Sequence, residues 1–494
     1  MRGKAGVWYQ SARDRLRVPE WFFLITFAIF GLIFLVLIPP FQVADESSHF
    51  FRAYQMTQGK LVSKKTPSGV GGELPKGVYD FAVSANQFGL SFHPDRRFFP
   101  RSQFPELWKF ESKGPKEPVR FVNTALYAPT NYVVPAIGIG LTKLITSKVI
   151  VQFYVGRLIN CAFFGVCLFF AIRMIPRGKW ILAALALLPM SIYEAASLSA
   201  DVYLIGLMSL FIAYWSTLYE KPVLTIKNFL TLGALGLLVG LSKQSYLVFV
   251  PILLLLALPV RKNRPELKRR LIFAVLAGLI TGLFAGGWVL ITSSFNADFA
   301  YWAGLNGIAV NPPVAMHSAL THPLTFVETM INSLITNNAN TTVWSFFGLF
   351  GWLDTAIPYA LMVFLAITLF LVYGFSETRT KGKYALTRPV AIWFGVSSVL
   401  FVAVLGFVLF AYWTPFGATS VAGFQGRYFI PLLIFLIPVL YGRYRHTIPK
   451  KYVLGGLVAV LVCCTVILVC RYYTNPPKLP GQASIGITQN RNIG

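Results

Sequence analysis

The sequence predicts an all-α membrane protein that crosses the bilayer about eleven times, and three observations carry that reading. Hydrophobic residues make up 55% of the chain and charged residues only 13%, which is more apolar surface than one soluble core could bury. Apolar stretches of spanning length recur, the first being Trp21 to Pro40, which holds no charged residue and as a helix would be about 30 Å long. The cations, 44 Lys+Arg against 18 Asp+Glu for a net charge of +26, fall in short clusters between those stretches. That spacing speaks for membrane topology and anionic lipid headgroups, and against nucleic acid as a partner.

Residues 1–20 form a basic N-terminus; Arg2, Lys4, Arg13, Arg15 and Arg17 precede the first span and place it in the cytoplasm. A secretory signal peptide would be shorter and end in small residues. The segment after Pro40 is therefore external, and from 41 to 148 it is polar and interrupted by Gly and Pro. Within it, Ala125 to Lys143 is apolar but broken by Pro129 and Pro135. If it crossed, the clusters Arg173 to Lys179, Arg261 to Arg270, Arg379 to Arg388 and Arg443 to Lys451 would all turn outward, so it is expected to be a juxtamembrane helix.

The remaining spans are expected at 149–172, 180–199, 202–219, 228–242, 244–260, 271–294, 356–375, 389–412, 428–442 and 452–470. As one helix, Asn228 to Val260 would be about 50 Å long and would flip every later cluster. It should be a hairpin whose α-helical halves reach about 25 Å each. The turn at Lys243 then lies beneath the outer boundary, where a lysine needs a counter-charge or a wet cavity. A second external loop is expected at 295–355 and a loose external tail at 473–494. The five cysteines, Cys161, Cys167, Cys463, Cys464 and Cys470, sit in apolar segments without metal-ligand spacing and read as packing residues.

Chemistry concentrates on the outer side. Asp45, Glu46, His49 and Arg52 follow the first span; in a helix over 45–56, Asp45, His49 and Arg52 share a face. Asp45 could equally cap a surface helix, with His49 snorkelling. Glu194, Asp201, Arg157, Lys243 and Arg427 fall near the same level, and ions of both signs there describe a polar cavity, since isolated charges in hydrocarbon are costly. Arg157, Lys243 and Arg427 suit a phosphate at headgroup level. Tyr301, Trp302, Asn306, Asn311, Trp413 and Gln425 are side-chain types that stack on and hydrogen-bond sugars.

A first external loop opening with the pair Asp45 and Glu46 after a single N-terminal span resembles the GT-C glycosyltransferase superfamily. More closely, PPFQVADESSHFFRAYQMTQGKL, YAPTNYVVPAIGIGL, SLSADVY, LSKQSYLVF and FQGRYFIPLL resemble, nearly end to end, a bacterial family of predicted membrane proteins of unknown function. The resemblance implies a GT-C-like domain over 21–472 in the bacterial cytoplasmic membrane, with the C-terminus external. It further implies a polyprenyl-phosphate-linked sugar donor, a glycan or lipid-linked glycan acceptor, and inversion at the anomeric carbon. Asp45 would be the base, with Glu46 and His49 beside it. Arg157, Lys243, Arg427 and Arg52 would receive the donor phosphate, and Glu194, Asp201, Tyr127, Asn131, Gln425 and Tyr428 would face the substrates. No cofactor is required by these residues. A divalent metal is compatible with Asp45 and His49, which supply too few ligands by themselves. The competing classes are a transporter or flippase for a lipid-linked saccharide, which lacks support from internal repeats, and a non-catalytic assembly component.

Overall fold

A computed structural model describes residues 18–305, 309–335, 339–375, 387–440 and 450–474. The N-terminal arginines and lysine, Asn306, most of the cluster Arg379 to Arg388, Arg443 to Pro449 and the tail from 475 lie outside the described residues, as does the side chain of Trp302. Among the described residues, six helices are long and apolar enough to cross a membrane: Pro19–Leu37, Val149–Met174, Ala200–Tyr219, Arg264–Tyr301, Arg388–Tyr412 and Leu454–Tyr472. Four shorter apolar helices, Ile226–Ser242, Gln244–Val260, Tyr359–Val372 and Gly426–Val439, accompany them. The chain is thus a helical, polytopic membrane protein.

The first helix begins with Pro19, whose missing N–H costs nothing there, and ends before Pro39 and Pro40, which cannot continue it. It runs antiparallel to Val149–Met174: Trp21 meets Phe169 at 5.1 Å at one end, and Arg157 donates to the carbonyls of Ile38 and Pro39 at the other. Phe23, Phe27 and Phe164 fill the space between. The last helix closes on the same end as Pro39, because Tyr473 donates its hydroxyl to the Leu37 carbonyl and Arg471 pairs with Asp354 at 2.9 Å. Residues 19 and 473 therefore lie at opposite ends of the bundle.

Three expectations need correction. The segment 180–199 is not one helix but two, Lys179–Ala186 and Pro189–Ala195, since Pro189 has no N–H for the ladder. The returning half of the hairpin, Gln244–Val260, is a 3₁₀ helix containing Pro251 and Pro259. At about 2.0 Å per residue its 17 residues cover about 34 Å rather than 25 Å. The fold is also not wholly α. Segment 41–148 carries a three-stranded antiparallel sheet, Lys64–Thr66, Gly69–Pro75 and Lys116–Arg120, and Leu349–Phe350 pairs with Thr355–Ala356. Gly71 makes the larger sheet feasible, since a Cβ there would stand 1.9 Å from the Val119 carbonyl oxygen.

The hairpin itself is present. Its first leg, Ile226–Ser242, opens with a capping box between Thr225 and Asn228. Its base is fastened by Arg270, which binds Glu266 and the carbonyls of Leu256 and Lys221, while Arg269 reaches the Leu224 carbonyl. Its tip, Lys243, adopts extended backbone and meets Asp201 at the opposite end of the bundle. The proline-broken stretch does not cross: a 3₁₀ turn at Pro129–Tyr132 leads into Val133–Lys143, which packs back along Val149–Met174, Gly138 against Val155 and Ile159.

Candidate functional site

The residues Phe41 to Asp45 make a tight corner between the first span and the helix Glu46–Met56, with Phe41 and Asp45 both in the left-handed region at φ 62° and 61°. Such backbone is uncommon outside glycine and persists only where packing enforces it. The corner is enforced from beneath. Glu46, wholly buried, accepts from Arg157 Nε at 2.7 Å and Nη2 at 2.5 Å, and from the backbone N–H groups of Phe41 and Leu198 at 3.1 Å each. Arg157 spends its other hydrogen bonds on the Ile38 and Pro39 carbonyls. Glu46 and Arg157 thus form a closed clamp, both wholly buried, with their hydrogen bonds spent on each other and on backbone.

Asp45 lies on the other side of the same corner. It occupies the N-cap position of Glu46–Met56, yet its side chain makes no cap hydrogen bond. Its Oδ1 instead accepts from Asn123 Nδ2 at 3.2 Å, and the charges that act on it are those of Arg427, Asp201 and Lys243. Burial, the largest influence, pushes its carboxyl above the usual aspartate range. His49 stands one turn further on, its Nδ1 2.9 Å from the Tyr132 hydroxyl and its ring stacked on Tyr127. Burial pushes its imidazole down to about 3, so it is neutral at pH 7. Arg52 turns away: it donates to Gln55 Oε1 and to the Leu61 carbonyl, each at 2.6 Å, and its guanidinium lies 6.0 Å over Tyr132.

Two cations meet three carboxylates here. Lys243 pairs with Asp201 and lies 4.6 Å over the Tyr428 ring and 5.7 Å over Tyr127. Arg427 pairs with Glu194, and its Nε is 3.5 Å from Asp201 Oδ2. Glu194 ends the short helix Pro189–Ala195 and Asp201 opens Ala200–Tyr219, so the proline break that divides 180–199 brings both acids to one level. Asn131 ties the segment 41–148 to the hairpin tip, donating to the Ser242 carbonyl at 3.0 Å and to the Ala128 carbonyl at 3.1 Å. Gln425 introduces the turn Gly426–Phe429 that carries Arg427, and Gly426 approaches Thr342 so closely that a Cβ would sit 2.0 Å from its carbonyl oxygen.

Asp45, Lys243, Tyr127 and Tyr428 retain partial exposure while His49, Asp201, Glu194, Arg427 and Tyr132 are buried, so the cluster has a sealed floor and an open mouth. Sequence reasoning passed over Asn123, Tyr132 and Tyr246, whose hydroxyl holds the Tyr428 carbonyl at 2.7 Å. A polar Asn123 inside FVNTALY was the one available signal. Among the described residues no three His, Cys, Asp or Glu side chains converge as metal ligands. The cluster offers a carboxylate for proton transfer and two fixed cations for an anion.

No curated protein and no solved structure matches this chain. A family model matches residues 27–436, from within the first span to beyond Arg427, and by that match the chain belongs to the family described as Predicted membrane protein (DUF2142).

Proposed function

We propose that the protein is a GT-C-like membrane glycosyltransferase. It moves a sugar from a polyprenyl-phosphate-linked donor to a cell-envelope glycan or lipid-linked acceptor on the outer face of a bacterial cytoplasmic membrane. In this reading the chain makes eleven crossings, with the N-terminus cytoplasmic and the segment 41–148 external. Asp45 accepts the proton of an acceptor hydroxyl. That oxygen forms a bond to the anomeric carbon from the side opposite the phosphate, and the bond between that carbon and the phosphate oxygen breaks with inversion. The departing polyprenyl phosphate keeps the electron pair, and Arg427 and Lys243 neutralise it.

One observation carries the reading: a half-buried aspartate, freed from the capping role its position offers, stands beside two cations at the end of the bundle where 41–148 gathers. Burial raises its proton affinity, which suits a general base, and aromatic faces at Tyr127 and Tyr428 flank the opening as sugar-binding surfaces do. The test is reconstitution of the full chain in vesicles with a labelled polyprenyl-phosphate sugar and an envelope glycan fraction. Label moving to the acceptor with release of polyprenyl phosphate is the expected result. Label crossing the bilayer while still attached to its lipid would replace the transferase with a transporter.

A further inference from the structure

We infer that Glu194 and Asp201 are place-holders for the donor's phosphate: they pair with Arg427 and Lys243, and the ligand's phosphate oxygens take over those cations on binding. This rests on the transferase reading above and adds how its anion site is kept and opened.

Around the opening stand three carboxyl groups, Asp45, Glu194 and Asp201, against two cations, Lys243 and Arg427. Neither cation is free, since Lys243 is engaged by Asp201 and Arg427 by Glu194. An anion added to that arrangement would meet three carboxylates along with the two cations, in surroundings where charges are weakly screened. A phosphate that exchanges partners with the carboxylates gains both cations and escapes that repulsion.

Geometry permits the exchange. Lys243 is the tip of a hairpin, its side chain 16% exposed and lying over two aromatic faces that keep a cation in place when its carboxylate leaves. Arg427 Nε makes no hydrogen bond and holds Asp201 only at 3.5 Å, which is too long for one, so a donor of the guanidinium awaits a better acceptor. Asp201 sits in the first turn of Ala200–Tyr219, where the helix N-terminus favours a carboxylate even without its lysine. The Glu46–Arg157 pair shows what a permanent clamp looks like here: 0% exposed on both sides, with backbone groups bound to both partners.

If Glu194 and Asp201 hydrogen-bond sugar hydroxyls, neutralising them weakens ligand binding; if they compete with the phosphate, neutralising them strengthens it. The experiment measures binding of farnesyl phosphate to the full-length protein in lipid nanodiscs. Glu194→Gln should bind about tenfold more tightly than the parent, and Asp201→Asn should shift in the same direction. The gain should vanish in Glu194→Gln combined with Arg427→Gln. Should Glu194→Gln fail to accumulate folded, Asp201→Asn alone decides. A parent that binds while the readable variants bind equally or more weakly overturns the place-holder role and leaves the transferase reading standing. Absence of binding by the parent and both variants overturns both.

Discussion

Asp45 and Glu46 are neighbours in the chain, and their carboxylates belong to two different buried charge centres. Glu46 sits in a balanced one: a single acid against a single guanidinium, both unexposed, with every hydrogen bond to backbone or to each other. Asp45 faces an unbalanced one, with an excess acid, a half-open mouth and one neutral hydrogen-bond donor, Asn123. A closed and neutral centre holds a corner of the fold together; an open and uneven one retains the capacity to bind or to move a proton. The left-handed backbone at Asp45 stands where the two part, one carboxylate meeting Asn123 and the next meeting Arg157.

The largest expected effect falls on Asp45. Asp45→Asn keeps size and removes the proton acceptor, so transfer should drop by about 10²–10⁴-fold. Stability should not drop with it. A carboxyl whose folded-state affinity for protons is raised makes the native state bind more protons than the unfolded one, so it destabilises the fold as pH rises above the ordinary aspartate range. The neutral variant should thus unfold at the same temperature as the parent or a higher one at pH 7, as differential scanning fluorimetry in detergent would read. Equal turnover by Asp45→Asn would break the comparison at its active half.

The opposite pattern is expected one residue later. Glu46→Gln leaves the Arg157 charge buried without its counter-ion, at a cost of about 3–5 kcal/mol, and the protein should accumulate poorly. The double variant Glu46→Gln with Arg157→Met should recover most of that loss, because the expense lies in an unpaired charge rather than in a missing attraction. Yield of folded protein by size-exclusion chromatography checks both. If Glu46→Gln instead folds normally and loses turnover, Glu46 works with Asp45 and the division is wrong.

How far this division could be read in advance is set by the range of each signal. Hydropathy length and basic clusters are properties of long windows, which is why the first span and the turn at Lys243 were legible before any coordinates. The need of Lys243 for a counter-charge was legible too, and Asp201 supplies it. The separate fates of Asp45 and Glu46 were not, because a single left-handed residue reverses a side chain without changing composition or period. Arg157 and Arg427 look alike as lone arginines in apolar helices; only the proline corner that offers carbonyls to one, and the broken 180–199 segment that offers Glu194 to the other, tells them apart. The glycine-dependent sheet was missed for a related reason, since strands of three to seven residues carry too few positions for a period to show.

The smallest expected effect sharpens the comparison most, because it concerns a residue in neither centre. Asn131 reaches from the segment 41–148 to the Ser242 carbonyl, one residue before Lys243, and so ties the hairpin tip to the segment that carries Asp45. Asn131→Ala removes that hydrogen bond at a cost of about 1 kcal/mol. The Glu46–Arg157 clamp is untouched, and a general loss of folding is not expected from one bond of that size. What should change is the hold on the donor: KM for the polyprenyl-phosphate sugar should rise about fivefold while kcat stays near the parent's, since Asp45 keeps its place and Lys243 does not. Asn131→Asp should not rescue it, since a carboxylate in place of the amide would face a carbonyl it cannot donate to. A purely structural Asn131 would give a different pattern, with thermal stability falling and both kinetic constants unchanged in the protein that remains folded. A fall in kcat at constant KM would mean that the tip positions the acceptor or the base rather than the phosphate, and Lys243 would then have to be reassigned from the leaving group to the attacking side.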